Sequence, residues 1–112
     1  MAEAFVNVAT AVTATVDGST EVVYTCPADT KAIVIHCQVA NVDGTNAADL
    51  NIDLYDTSAT TAAAVVSTLS VPADSAVNPI GGKLVLEATD ELRAWASATG
   101  DLELTLGILE IT

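Results

Sequence analysis

Apolar and polar residues alternate with a period of two along most of the chain. No window carries apolar side chains at the i, i+3, i+4, i+7 spacing of an amphipathic helix, so the pattern predicts strands and very little helix. Val6, Val8, Val12 and Val16 share one parity across residues 5–16, with Asn7, Thr13 and Thr15 on the other, and Asp17-Gly18-Ser19 supplies a turn. Residues 1–16 therefore read as a first strand or an extended N-terminal arm. Residues 20–25 predict a second strand, closed by Cys26-Pro27-Ala28-Asp29, where proline removes a backbone donor and fixes φ. Residues 31–41 predict a third, with Ile33, Ile35, Cys37 and Val39 on one face and Val34, His36 and Gln38 on the other. A turn cluster at 41–46 precedes a half-exposed fourth strand, in which Leu50, Ile52 and Leu54 alternate with Asn51, Asp53 and Tyr55. Residues 63–71 predict a fifth, closed by Pro72-Ala73-Asp74-Ser75. After the breaker Asn78-Pro79-Ile80-Gly81-Gly82, residues 83–87, 91–97 and 102–111 predict the last three. In the last strand Leu102, Leu104, Leu106 and Ile108 share a parity while Leu109 and Ile111 take the other, so Gly107 is expected to mark a β-bulge.

About eight short strands joined by turns predict an all-β sandwich, of jelly-roll or Greek-key topology. With no internal repeat or linker, residues 1–112 read as a single β-sandwich domain. Composition narrows its character. Twenty of the apolar residues are alanine, so the core is thin and built mainly of Val, Leu and Ile. The aromatics are Phe5, Tyr24, Tyr55 and Trp95, too few for a stacking surface that holds sugars or nucleobases. Fifteen acidic residues against Lys31, Lys83 and Arg93 give a net charge of −12, which repels polyanions and predicts neither a nucleic-acid partner nor an anionic membrane surface. No apolar run is long enough for a membrane span, and the N-terminus lacks the basic, then apolar, pattern of a secretory signal. Cys26 and Cys37 are accordingly expected to be reduced. A tight turn at 27–30 would set Cys26 opposite Lys31, too far from Cys37 to bridge.

Candidate chemistry is sparse. Asp49-x-Asn51-x-Asp53-x-Tyr55 copies the odd-position spacing that opens a calcium-binding EF-hand loop, but Leu54 stands where that loop needs Gly and Thr60 where it needs Glu. Alternation in a half-buried strand gives the same spacing, and no metal site is expected. His36 and Cys37 are neighbours whose side chains leave a strand on opposite faces, so they make no nucleophile and base pair. Glu87, Asp90 and Glu91 read as solvated turn acids rather than a glycosidase pair. Gly81-Gly82-Lys83 lacks the spacing and the following helix of a phosphate loop. The expectation is a chain without catalytic residues or cofactor. Arg93 and Trp95 share a face of the seventh predicted strand and are the kind of pair enriched at protein interfaces. With Phe5, Val6, Val8 and Val12 of the N-terminal segment they form the candidate interface, the latter offering a free strand edge to a neighbour's sheet.

Tyr24-Thr25-Cys26-Pro27 before the Ala32-Ile33-Val34 strand, Val71-Pro72-Ala73, Pro79-Ile80-Gly81-Gly82-Lys83-Leu84-Val85-Leu86-Glu87, Asp90-Glu91-Leu92-Arg93-Ala94 and Leu109-Glu110-Ile111 together resemble the small virion proteins of tailed bacteriophages. The resemblance runs from Tyr24 to Ile111, with Thr89 where that group has Gly. It implies a structural virion protein, foremost a capsid decoration (cement) protein that binds the major capsid protein or another virion protein on the outer shell. It also implies a homo-oligomer, specifically a trimer, and a location in the virion after assembly in the host cytoplasm. The alternatives are a tail, baseplate or fibre component, or a non-enzymatic module that binds glycans or receptors.

Overall fold

The alternation resolves into two packed antiparallel sheets in a computed structural model that describes residues 2–16 and 21–112. The strands are β1 (Glu3–Ala11), β2 (Glu21–Thr25), β3 (Lys31–Asn41), β4 (Ala48–Asp56), β5 (Thr61–Val71), β6 (Ala76–Val77), β7 (Leu84–Leu86), β8 (Glu91–Ala96) and β9 (Leu102–Ile111). One sheet runs β1-β9-β3, with the short β6 and β7 both along the far edge of β3; the other runs β2-β8-β4-β5. Chain order makes these pairings nested: β4 pairs with β5, β3 with β6 and β7, β2 with β8, and β1 with β9, alternating between the two sheets. Nested antiparallel pairs rolled into two sheets are a jelly roll, one of the two topologies the sequence allowed.

The core lies between the sheets and is aliphatic. Leu102, Leu104, Leu106 and Ile108 of β9 face Leu50 and Ile52 of β4 and Leu92, Ala94 and Ala96 of β8, all fully or almost fully buried. The alternation of β4, β8 and β9 thus matches the pleat, with inward and outward residues succeeding each other as expected. Left-handed residues close three turns. Asp29 and Asp74 follow Pro27-Ala28 and Pro72-Ala73 with φ of 57° and 55°, and Thr89 holds φ of 68° in the Glu87–Asp90 turn. Asp is among the few residues that tolerate this region, whereas Thr, β-branched, is strained there.

One alternative is decided and three expectations are corrected. Residues 3–11 are an integral strand, paired with β9 along their whole length without a register shift, and not a free arm; the turn expected at Asp17-Gly18-Ser19 lies outside the described residues. β2 and β3 do not form a hairpin around residues 27–30, since they belong to different sheets. Both cysteines are nevertheless free and buried: the Cys26 thiol donates to the Thr30 carbonyl at 3.3 Å, and Cys37 sits mid-β3 opposite Leu106. Finally, the bulge near Gly107 lies on the partner strand. β9 pairs with β1 in unbroken register, while β3 shifts between Val34 and His36, so that Ile35 is the extra residue opposite Ile108 and Gly107. The shift reverses the parity of β3: Ala32 and Val34 point inward before it, Cys37, Val39 and Asn41 after it, and Ile33 and Ile35 are turned out.

Candidate assembly surface

The inversion within β3 has a direct effect on the outer face of its sheet. Register aligns Phe5 of β1 with Leu109 of β9, Leu109 with Ile33 of β3, and Ile33 with Val85 of β7, a single apolar row across four strands. Phe5 is 79% exposed, Val85 57% and the bulged Ile35 44%. Gly107, in the neighbouring row between Asn7 and His36, has no side chain to fill the space, and a shallow groove runs over it between Phe5 and Ile35. A Cβ there would meet the His36 Cβ at 3.4 Å and Ile35 Cγ1 at 3.8 Å, ordinary contacts that would simply narrow the groove. Two of the chain's three basic residues flank this face: exposed Lys31 pairs across to Ile111, and Lys83 lies beside Ile35 and His36. A contiguous apolar patch, rimmed by what little positive charge an acidic molecule has, is the signature of an interaction surface.

The residues singled out from sequence divide between three environments. Phe5 lies on this patch. Val6 and Val8 point the other way, half-buried against the core along the edge of the sandwich, and Val12, just past β1, is completely buried; none of the three lies on the outer patch. Arg93 and Trp95 occupy the outer face of the second sheet, half-buried. The Arg93 guanidinium stacks 4.0 Å above the Tyr55 ring, and its Nε and Nη2 bond Glu91 Oε1 at 2.8 and 2.7 Å. The cation is therefore engaged within its own face. Leu109, Ile33, Ile35 and Val85 were not singled out, although one signal was legible: β9 carries apolar residues of both parities at its end, and a strand that does so presents apolar side chains to both sides.

Elsewhere the polar groups hold loops. Asp90 is buried, with its carboxylate oxygens accepting the Glu87 amide at 2.9 Å and the Thr57 amide at 3.2 Å. Asp56, Glu87 and Asp90 bring carboxylate oxygens within 4.8 Å of one another. Hydrogen bonds from the Ser58 hydroxyl and the Ala59 amide hold Asp56 below the usual carboxylate range. At the opposite end the Thr45 and Asn46 amides do the same for Asp43. The Tyr24 hydroxyl donates to Glu110, and burial together with that carboxylate pushes its ionisation well above the ordinary tyrosine value. Burial pushes the Cys37 thiol up to about 11, and burial and nearby carboxylates raise Cys26 as well. Neither thiol is poised as a nucleophile, since the thiolate is the reactive form. An open cavity beside Ile111 and Thr112 is lined also by Asp29, Thr30, Lys31, Glu87 and Ala88. His36 and Cys37 lie outside it, His36 exposed and Cys37 buried, on opposite faces of β3.

No protein-family model matches the chain, and no curated protein does. Among solved structures it is similar to a protein of the Bacillus endospore appendages, a family of disulfide-linked pili, with a TM-score of 0.56 and 17% identity over 99% of this chain and 87% of the other. At that identity the likeness is one of fold.

Proposed function

We propose that this chain is a non-enzymatic structural protein of a tailed-phage virion, of the capsid decoration type, which docks on the shell through the outer face of its β1-β9-β3 sheet. The apolar row Phe5–Leu109–Ile33–Val85, with Ile35 beside it, carries the docking part of the reading. The resemblance over Tyr24 to Ile111 supplies the virion and makes the major capsid protein the foremost partner. An apolar contact suits a molecule of this charge, because three basic residues cannot build a basic docking patch, while the many carboxylates can meet a positive rim on the shell and raise the on-rate.

The likeness to a pilus protein favours a second reading, in which the same fold polymerises on itself. Disulfide linkage is not the means this structure offers, since Cys26 is fully buried and Cys37 5% exposed. The test is binding of the purified chain to shells assembled without it. Val85→Glu places a charge in the patch at a side chain that contributes nothing to the core. It should weaken shell binding by about thirtyfold, as loss of a central contact residue does, with an unchanged circular dichroism spectrum. Shell binding unaffected by Val85→Glu would overturn the docking face, and wild-type chain that ignores shells and forms filaments would overturn the decoration reading.

A further inference from the structure

Sheet edges invite pairing with other chains, and proteins blunt them with bulges, short strands, Pro or Lys. Among the described residues the two sheets have four edges, and three of them are blunted. β5 carries two register shifts and a left-handed Thr68 with φ of 52°. β2 is five residues long and shifts between Val22 and Tyr24. The far edge of β3 is covered by β6 and β7, of two and three residues. β1 has none of these devices: nine residues in continuous register, without Pro or Lys and with Glu3 as its one charge.

The free edge is also set for pairing. Ala2 and Thr112 exchange both backbone hydrogen bonds, and the Val12 amide donates to Leu102, so even-numbered residues of β1 spend their amides and carbonyls on β9. Those of Glu3, Phe5, Asn7, Ala9 and Ala11 consequently point away from β9, where no other described strand lies.

We infer that β1 pairs antiparallel with β1 of a second copy of this chain, about a two-fold axis at Asn7. This register uses every outward amide, setting Glu3 against Ala11, Phe5 against Ala9 and Asn7 against its own counterpart. Each exposed Phe5 ring lies beside a small Ala9 on the same face, a large-against-small cross-strand pair made twice by the symmetry. On the inner face Val6 meets Val8 of the other copy, covering the half-buried edges of both cores. Charge selects the antiparallel sense. It separates the two Glu3 carboxylates by about 26 Å along the strands, beyond the screening length of about 8 Å, whereas parallel in-register pairing would stack them. The contact closes on itself, so the edge gives a dimer where the phage resemblance implies a trimer. It stands whether or not the partner of the apolar face is a capsid.

Sedimentation of the full chain at micromolar concentration should give a dimer. Asn7→Pro removes an outward amide and leaves the β9 ladder intact, and should weaken dimerisation about tenfold or more. Because a proline variant can fail to fold, a second variant reads the register directly. Asn7→Cys places two thiols across the axis, where opposed Cα atoms lie about 5.5 Å apart, within disulfide reach. It should form a covalent dimer on mild oxidation, far faster than Gln38→Cys, an exposed position away from the edge. A monomer or trimer in solution, or equal cross-linking of the two cysteine variants, would overturn the inference.

Discussion

Thr89 occupies the third position of the Glu87–Asp90 turn, which the Asp90 amide closes on the Glu87 carbonyl at 3.0 Å. Its φ of 68° is a conformation that costs a β-branched residue about 1–2 kcal/mol. Against that cost stands a hydroxyl contact to Thr57 at 2.7 Å on the exposed surface, which contributes little. Thr89→Gly should therefore raise stability by about 1 kcal/mol, read from the urea midpoint; a fall would show that the Thr57 contact dominates. The adjacent Asp90 behaves oppositely. Asp90→Ala strands the Glu87 and Thr57 amides, and should cost about 2 kcal/mol or more, with Asp90→Asn recovering part of it because one acceptor remains. Residue-scale chemistry was only partly legible in the sequence. The turn around Thr89 could be placed from its neighbours, but that Asp90 is buried and bonded to a loop some thirty positions away in sequence depends on β4 lying beside β8.

The strands themselves could be read wherever one face alone is apolar. β4 and β8 have polar residues on the outer face and alternate cleanly, so their parity and their inward residues follow from sequence. β3 defeats the same reasoning. Its apolar residues occupy both parities, and a bulge at Ile35 switches which parity is inside, so that Ile33 and Ile35 fall outside with the very alternation that suggested a common inner face with Cys37 and Val39. Strand pairing was also beyond local reasoning: Cys26-Pro27-Ala28-Asp29 reads as a hairpin turn, but the chain uses it to cross from one sheet to the other. The structure of β1 changes what a truncation can report. Removal of residues 2–11 would strip the strand from β9 and uncover Leu104, Leu106 and Ile108 together with Val12. Each buried side chain contributes about 1.5–3 kcal/mol, so the loss is comparable with the whole stability of a domain of this size. The truncated chain should lack a cooperative thermal transition, and any loss of partner binding would then follow from unfolding. A truncated chain that melts cooperatively would mean that β1 is peripheral.

At the scale of the whole molecule the charge is lopsided, and yet the groups with raised ionisation constants are the buried neutral ones. Tyr24, Cys26 and Cys37 all ionise at higher pH in the folded chain than in the unfolded one, with desolvation by burial as the first cause in each case. The unfolded thiols ionise near about 8.5 and tyrosine near about 10. Below those values both states are neutral at these groups, and the contribution to stability is fully present. As pH rises past the unfolded constants, the unfolded chain releases protons that the folded chain retains, so stability declines with pH. Cys37 continues this decline up to about 11, where the folded thiol itself ionises, and Tyr24 extends it beyond. The midpoint of thermal unfolding should accordingly be level from pH 7 to about 8.5 and fall steadily above it. Variants assign the decline to these groups. Cys37→Ala should melt lower at pH 7 because of lost packing, but show a shallower decline between about pH 9 and 11. Tyr24→Phe leaves Glu110 without its hydroxyl partner, and should be shallower above about pH 10. A wild-type midpoint unchanged to pH 11, or variants whose slopes match wild type, would show that these three groups are not held neutral by the folded core.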